Sequence, residues 1–124
     1  MNRIQITKCE AEVMDAVWTQ GRVTVGDVVE AIDRDLAYTT VMTTMKILEE
    51  KGIVHRGEKI GRAYTYLPSV TREQVQVGML AELTDLLFGG SVRSLVLSLM
   101  QSDHVSKDDI EALREAAKKL ESSE

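Results

Sequence analysis

The sequence predicts a mainly α-helical fold with one small β-hairpin, and three observations predict it. Apolar residues fill 44% of the 124 positions but aromatic residues only 4%, which indicates an aliphatic core. Three amphipathic helical patterns precede two short strand-like runs. Three further helical patterns follow the single proline, Pro68. We therefore expect one domain over residues 1–70 and a helical segment over residues 71–124.

The first two helices are predicted from their start signals. Thr7 with Glu10, and Thr24 with Asp27, have the spacing of a capping box, in which each side chain bonds the other residue's backbone amide. The first helix is expected to run to about residue 19, with Gly21 as its stop. Apolar residues recur at helical spacing in both helices: Ala11, Met14, Val17 and Trp18, then Val25, Val28, Val29 and Ile32.

The third helix is predicted from Tyr38 to Lys51, with Gly52 as its stop. Its N-cap stays open, because alanine caps poorly and a threonine cap would shorten the helix. The candidate caps are Ala37, Thr39 and Thr40, and the apolar face consists of Val41, Met45 and Leu48.

A change of hydrophobic period after Gly52 predicts the β-hairpin. Residues 53–56 and 62–67 have strand-like composition, and the stretch from Gly57 to Gly61 is expected to form a turn with a basic tip. Three short helices followed by a hairpin is the element order of a winged helix-turn-helix. In that fold the third helix enters the DNA major groove and the hairpin, or wing, lies along the backbone.

Three helices are predicted in the remaining segment. Thr71 with Gln74 starts a helix that runs to about Phe88 and is broken by Gly89 and Gly90. The other starts are Ser91 and the pair Ser106 and Asp109, and residues 121–124 are expected to fray.

The apolar surface of residues 71–124 exceeds what three short helices can cover by themselves. Segments of this size usually need a partner, so we expect this one to form a homodimer. The expected interface residues are Leu83, Leu86, Leu87, Leu95, Val96, Leu99, Ile110, Leu113 and Leu120.

The third helix has a face suited to contact with bases. With Met45 directed inward, a rotation of about 100° per residue exposes a set of short side chains. Threonine can hydrogen-bond bases or touch the thymine methyl group. The set consists of Thr40, Thr43 and Ile47, flanked by Thr39 and Lys46.

Basic residues concentrate between this helix and the hairpin. Residues 46–62 hold five basic side chains and three acidic ones, in a chain whose net charge is −5. Phosphate binding depends on where charge lies, so the acidic total lowers the expected affinity for DNA without excluding DNA binding. A second interpretation stays open, in which a winged-helix adaptor binds a protein instead of DNA.

Four segments resemble the BlaI/MecI family of bacterial penicillinase-type repressors: ITKCEAEVMDAVW, LAYTTVMTTMKILEEKGIV, GRAYTYLPSV and FGGSVRSLVLSL. They cover nearly the whole chain in the family's order. The resemblance implies a homodimeric winged-helix repressor that binds a dyad-symmetric operator upstream of resistance or stress genes. The residues that it implies for DNA binding are Thr39, Thr40, Thr43 and Lys46 on the helix, and Arg56, Lys59, Arg62 and Tyr64 on the wing. Met42 and Ile47 stand where some members have arginine, so base preferences are not carried over.

The resemblance also implies how the repressor is released from DNA. In many members a membrane sensor triggers cleavage of the repressor, and in the best-known systems an Asn–Phe bond is cut. The matching bond here is Ser98–Leu99, in which both residue types differ. Cutting it would separate part of the dimer interface from the rest. Release by another signal is the other expectation.

Several classes of protein are excluded or unexpected. The single cysteine, Cys9, excludes an internal disulfide and a multi-thiolate metal site, and it is expected to be structural. We expect no metal, no cofactor and no enzymatic activity, because no nucleophile–base, phosphate-loop or zinc-ligand motif occurs. No 18-residue apolar run or signal peptide is apparent, which favours a cytoplasmic protein.

Overall fold

The computed structural model describes residues 4–122. The elements in chain order are α1 (Lys8–Gln20), α2 (Val25–Ala31), α3 (Tyr38–Glu50), β1 (Val54–Ile60), β2 (Ala63–Pro68), α4 (Arg72–Leu87), α5 (Val92–Met100) and α6 (Lys107–Ser122). They fall into two compact units, the first ending at Leu80 and the second beginning at Ala81.

The predicted helix starts are confirmed. At α1 the Glu10 amide donates to Thr7 Oγ1 at 3.2 Å, and the Thr7 amide donates to Glu10 Oε1 at 2.7 Å. The same reciprocal bonds occur at the starts of α2, α4 and α6. At α3 the N-cap is Ala37, which makes no side-chain capping bond. This helix is therefore held mainly by its buried face.

The core of the first unit is aliphatic, as expected. Side chains of α1, α2 and α3 meet there with residues that flank or lie in the two strands. Trp18 packs at its edge, and its Nε1–H donates to the Val70 carbonyl at 3.0 Å. The buried cluster consists of Val13, Met14, Ala16, Val17, Val23, Val25, Val28, Val41, Met45, Leu48, Ile53, Val54 and Tyr66.

An ion pair joins the start of α1 to the residue that caps the end of α3. Lys51 Nζ donates to Glu10 Oε1 at 2.8 Å, and the Glu10 side chain is 5% exposed. Burial alone would raise the pKa of Glu10, but the bonds from Lys51 and Thr7 outweigh it and hold the pKa below its ordinary value of 4.5. The pair therefore fixes one end of α3 against α1.

The hairpin is longer and its turn tighter than predicted. The strands pair from Val54 with Pro68 to Ile60 with Ala63, so Gly61 and Arg62 alone form the turn. Gly61 has φ 62°, the positive value that the first central residue of a type II′ turn needs. The predicted turn at residues 57–61 was wrong.

The physical reason lies at Gly57, which serves the strand and not the turn. A Cβ at this position would lie 2.6 Å from Leu67 Cδ1 and 2.8 Å from Thr65 Oγ1. The pairing is irregular between Arg56 and Lys59, and Thr65 Oγ1 donates to the Glu58 carbonyl there at 2.6 Å. Glycine is thus needed for a close approach within an irregular strand.

A third segment pairs with the hairpin. The Val23 amide donates to the Tyr66 carbonyl at 3.0 Å, and the Tyr66 amide donates to the Val23 carbonyl at 2.7 Å. Val23 lies in the connection between α1 and α2. These two bonds therefore anchor the hairpin to the helical part of the first unit.

The first unit extends beyond residue 70, where the sequence analysis put its boundary. Arg72 Nη1 lies 2.7 Å from Asp15 Oδ1, and its guanidinium lies 5.1 Å from the Trp18 ring centre. Val75 is buried, and a Cβ on Gly78 would contact the backbone of Ile4. The first turns of α4 therefore lie against α1 and Ile4.

The second unit contains the break and the two last helices as predicted. Gly89 and Gly90 have φ of 56° and 81°, which ends α4, and Ser91 caps α5. The predicted fraying from residue 121 is wrong for Glu121 and Ser122, which lie in α6. Residues 123 and 124, the rest of that prediction, lie outside the described residues.

The expected interface residues of this unit differ in exposure. Leu95 is buried and Ile110 is half-buried. The other seven are exposed, namely Leu83, Leu86, Leu87, Val96, Leu99, Leu113 and Leu120. Within residues 4–122 no single helix is long and apolar enough to cross a membrane, and α4 with α5, a bent pair, reaches that length and composition only in combination.

Candidate nucleic-acid interface

One side of α3 is exposed and the other is fully buried. Val41, Met45 and Leu48 are completely buried, and Thr44 nearly so. The exposed side holds the five residues that the helical period predicted: Thr39, Thr40, Thr43, Lys46 and Ile47. The face expected for base contact is therefore accessible along the whole helix.

The threonines of α3 divide into two kinds. Thr44 is turned inward, where its Oγ1 donates to the Thr40 carbonyl at 2.8 Å and lies 3.8 Å from Cys9 Sγ. The hydroxyls of Thr39, Thr40 and Thr43 have no hydrogen-bond partner among residues 4–122. These three hydroxyls are thus available to an outside partner.

Two cations of the hairpin lie over one exposed aromatic ring. The Arg56 guanidinium is 4.7 Å from the centre of the Tyr64 ring, and Lys59 Nζ is 4.6 Å from it. Such cation–π contacts order long side chains that would otherwise sample many rotamers. Tyr64 therefore organises the positive charge of the wing.

Arg56 also links the wing to α3. Its Nε lies 3.0 Å from Glu49 Oε2, and the negative charge of Glu49 raises the pKa of Arg56 above its ordinary value. Arg56 is one of the residues predicted to bind DNA, and in the structure its guanidinium contacts Glu49 and Tyr64. Sequence reasoning did not single out Glu49, since no local pattern connects it to the strand.

A cleft of about 220 Å³ separates α3 from the wing. Lys46, Arg56, Arg62 and Tyr64 line it, so the structure brings four of the eight predicted residues together there. Tyr38 and Met42 line it too, and neither was among the site residues predicted from the sequence. Tyr38, Met42 and Lys46 are four residues apart, so they share one face of α3. This spacing could have identified the first two from the sequence.

The site is electrostatically suited to phosphate on its wing side. Lys59 and Arg62 are exposed, and neither has an ion-pair partner within the part of the chain that the structure describes. Among the same residues no group of three or more His, Cys, Asp or Glu side chains could hold a metal ion. The arrangement is that of a binding surface: short side chains on a helix beside a cationic hairpin.

Comparison with known proteins identifies the family. The sequence model of the penicillinase repressor family matches residues 6–119. The chain belongs to the penicillinase repressor family. The transcriptional regulator BlaI of Mycobacterium tuberculosis is 34% identical over 116 residues, which cover 90% of this chain and 82% of that protein. The methicillin resistance regulatory protein MecI of Mammaliicoccus sciuri is 27% identical over 112 residues, 89% of this chain and 90% of that one.

Solved structures support the winged-helix fold of this penicillinase repressor family member. The DNA-binding domain of the repressor BlaI superposes with a TM-score of 0.51 at 24% identity, covering 59% of this chain and 90% of that one. A MarR family protein from Bacillus stearothermophilus gives a TM-score of 0.52 at 17% identity, covering 97% of this chain and 76% of that one. The predicted mainly α-helical fold with a winged helix is confirmed.

Membership in the penicillinase repressor family also defines the general activity. The chain is a transcriptional repressor with a winged-helix DNA-binding domain, and it is not an enzyme.

Proposed function

We propose that this repressor binds a dyad-symmetric operator as a homodimer in the cytoplasm and controls resistance or stress genes. The observation that carries the proposal is the exposed face of α3 beside a cationic wing. A helix fits the major groove, and a neighbouring hairpin reaches the backbone.

Within this proposal the eight site residues have three roles. Thr39, Thr40, Thr43 and Lys46 face the bases, where hydroxyl and ammonium groups can bond base edges. Lys59 and Arg62 neutralise phosphates. Arg56 and Tyr64 hold the wing at its angle to α3, because they link β1, β2 and Glu49 of α3.

The dimer is proposed to form through the second unit. Its seven exposed leucine and valine side chains among the expected interface residues would be costly to leave in water. Burial of one such side chain contributes roughly 1.5–3 kcal/mol. Although α6 has an apolar side with Leu113 and Leu120, none of its residues is buried. A second copy of the chain would cover these positions.

Release by cleavage at Ser98–Leu99, triggered by a membrane sensor system, belongs to the same proposal. The bond lies inside α5, and both side chains are exposed in the single chain. A protease needs an extended segment, so α5 would first have to unwind locally. Mass spectrometry of the chain during cell-wall stress tests this step, because intact protein throughout derepression would exclude it.

Footprinting on the DNA upstream of its own gene tests operator binding. A dimer should protect two half-sites about 34–36 Å apart, one turn of the duplex. Lys46→Ala should weaken this protection, whereas the matched change Lys107→Ala on α6 should leave it unchanged. Binding that ignores both salt and DNA sequence would contradict the proposal and favour a protein-binding adaptor.

A further inference from the structure

We propose that α3 recognises the methyl groups of thymine, and that Ile47 is a specificity-determining residue of this repressor. The inference rests on the proposed operator binding and concerns how the operator is read. It starts from one anomaly in the burial of α3. Ile47 is 41% exposed, whereas Val41, Met45 and Leu48 are each 0% exposed.

Methyl groups dominate the outward chemistry of the helix. Thr39, Thr43 and Ile47 follow one another at intervals of four residues, so they form one stripe along the exposed side. Each presents a methyl group, and Thr40 beside them adds another. From Thr39 to Ile47 the stripe rises roughly 12 Å, enough to follow several consecutive bases in the groove.

Three of the side chains that bond guanine or adenine are missing from the helix. The α3 sequence YTTVMTTMKILEE contains no arginine, asparagine or glutamine. Bidentate contacts to guanine from arginine, or to adenine from asparagine or glutamine, therefore cannot come from α3. Lys46 is its one positively charged side chain. Thymine differs from every other base by its C5 methyl group in the major groove, which an apolar side chain can contact.

The position of Ile47 fits contact with a base. It lies one turn beyond Thr43, whose hydroxyl has no hydrogen-bond partner among residues 4–122. Lys46 precedes it and lines the cleft beside the wing. An apolar group flanked by a hydroxyl and a cation can bury its surface on a methyl group while its neighbours bond base edges and phosphate.

The test removes the methyl groups from the DNA and nothing else. Duplexes are selected by the protein from a random-sequence pool, and the selected duplexes are then made with either thymine or uracil. The half-sites should be rich in thymine, and the wild type should bind the uracil form about four-fold more weakly for each lost methyl contact, as expected from the burial of one methyl-sized group.

Two variants assign the effect to a residue. Ile47→Ala should reduce the thymine preference by about four-fold, the contribution of one methyl contact, because the threonine methyl groups of the stripe remain. Ile60→Ala, an exposed isoleucine on the wing and not on α3, should keep the full preference of the wild type. Both changes are on exposed side chains and leave the core intact.

The outcomes separate this inference from the proposed function. Selective, salt-dependent binding with equal affinity for the two duplexes would overturn methyl recognition and leave operator binding standing. A thymine preference that Ile47→Ala retains in full would overturn the role of Ile47. If no duplex is selected at all, operator binding fails, and this inference fails with it.

Discussion

Replacing Arg56 by alanine should weaken DNA binding without changing how steeply that binding depends on salt. The reason is that the charge of Arg56 is already engaged within the protein. Its Nε lies 3.0 Å from Glu49 Oε2, and its guanidinium lies 4.7 Å from the Tyr64 ring centre. Loss of the side chain would release the wing from α3 but remove no phosphate contact.

Arg62 should behave differently, because it stands at the turn of the hairpin without an ion-pair partner among residues 4–122. Each phosphate that a protein neutralises contributes about 0.9 to the slope of log affinity against log salt. Raising the salt from about 50 to 200 mM therefore weakens binding about 3.5-fold less when one phosphate contact is missing. Arg62→Ala should show this flattening, and Arg56→Ala should give a line parallel to the wild type.

The assay is fluorescence anisotropy of a labelled operator duplex titrated at several salt concentrations. Arg114→Ala on α6, in the second unit, is the control and should match the wild type. Tyr64→Phe should also match it, because the ring is kept, whereas Tyr64→Leu should resemble Arg56→Ala. A slope for Arg56→Ala as shallow as that of Arg62→Ala would refute the reasoning, since Arg56 would then bind phosphate itself.

Three further predictions concern recognition, assembly and acid stability. Thr43→Ala should relax base preference at one position of each half-site by about 1–3 kcal/mol, measured by competition between operator variants; equal losses on operator and random DNA would contradict this. Leu99→Asp should give monomers by light scattering, whereas Ile60→Asp on the wing should stay dimeric. Because the pKa of Glu10 in the folded protein lies below 4.5, its contribution to stability is present above that pH and is lost as the pH falls through the lowered value. Lys51→Met should make urea unfolding less dependent on pH in this acidic window, and an unchanged dependence would contradict the role of the pair.

The starts of the helices were predictable because their signals are local. A capping box such as Thr7 with Glu10 needs two side chains three residues apart, and both bonds close within one turn. The exposed face of α3 was predictable for a similar reason, since a helix rotates by a constant angle per residue. Most of the candidate DNA-binding face followed from that rotation once Met45 was directed inward.

The hairpin shows where local composition misleads. Glycines at both ends of residues 57–61 predicted a turn, but only Gly61 belongs to it. Gly57 is required by the approach of Leu67 and Thr65 from the opposite strand. That requirement depends on the register of pairing, which the composition of one strand does not contain.

The sequence by itself determined the order of the elements, the capping boxes and the outward residues of α3, since each depends on neighbours within about one helical turn. Tertiary structure alone decided that Val23 pairs with Tyr66, and that Arg56 bonds Glu49. It also decided that Leu95 is buried. Such contacts join residues from different elements, so they exist only after the chain has packed. No periodic pattern along the sequence predicts them.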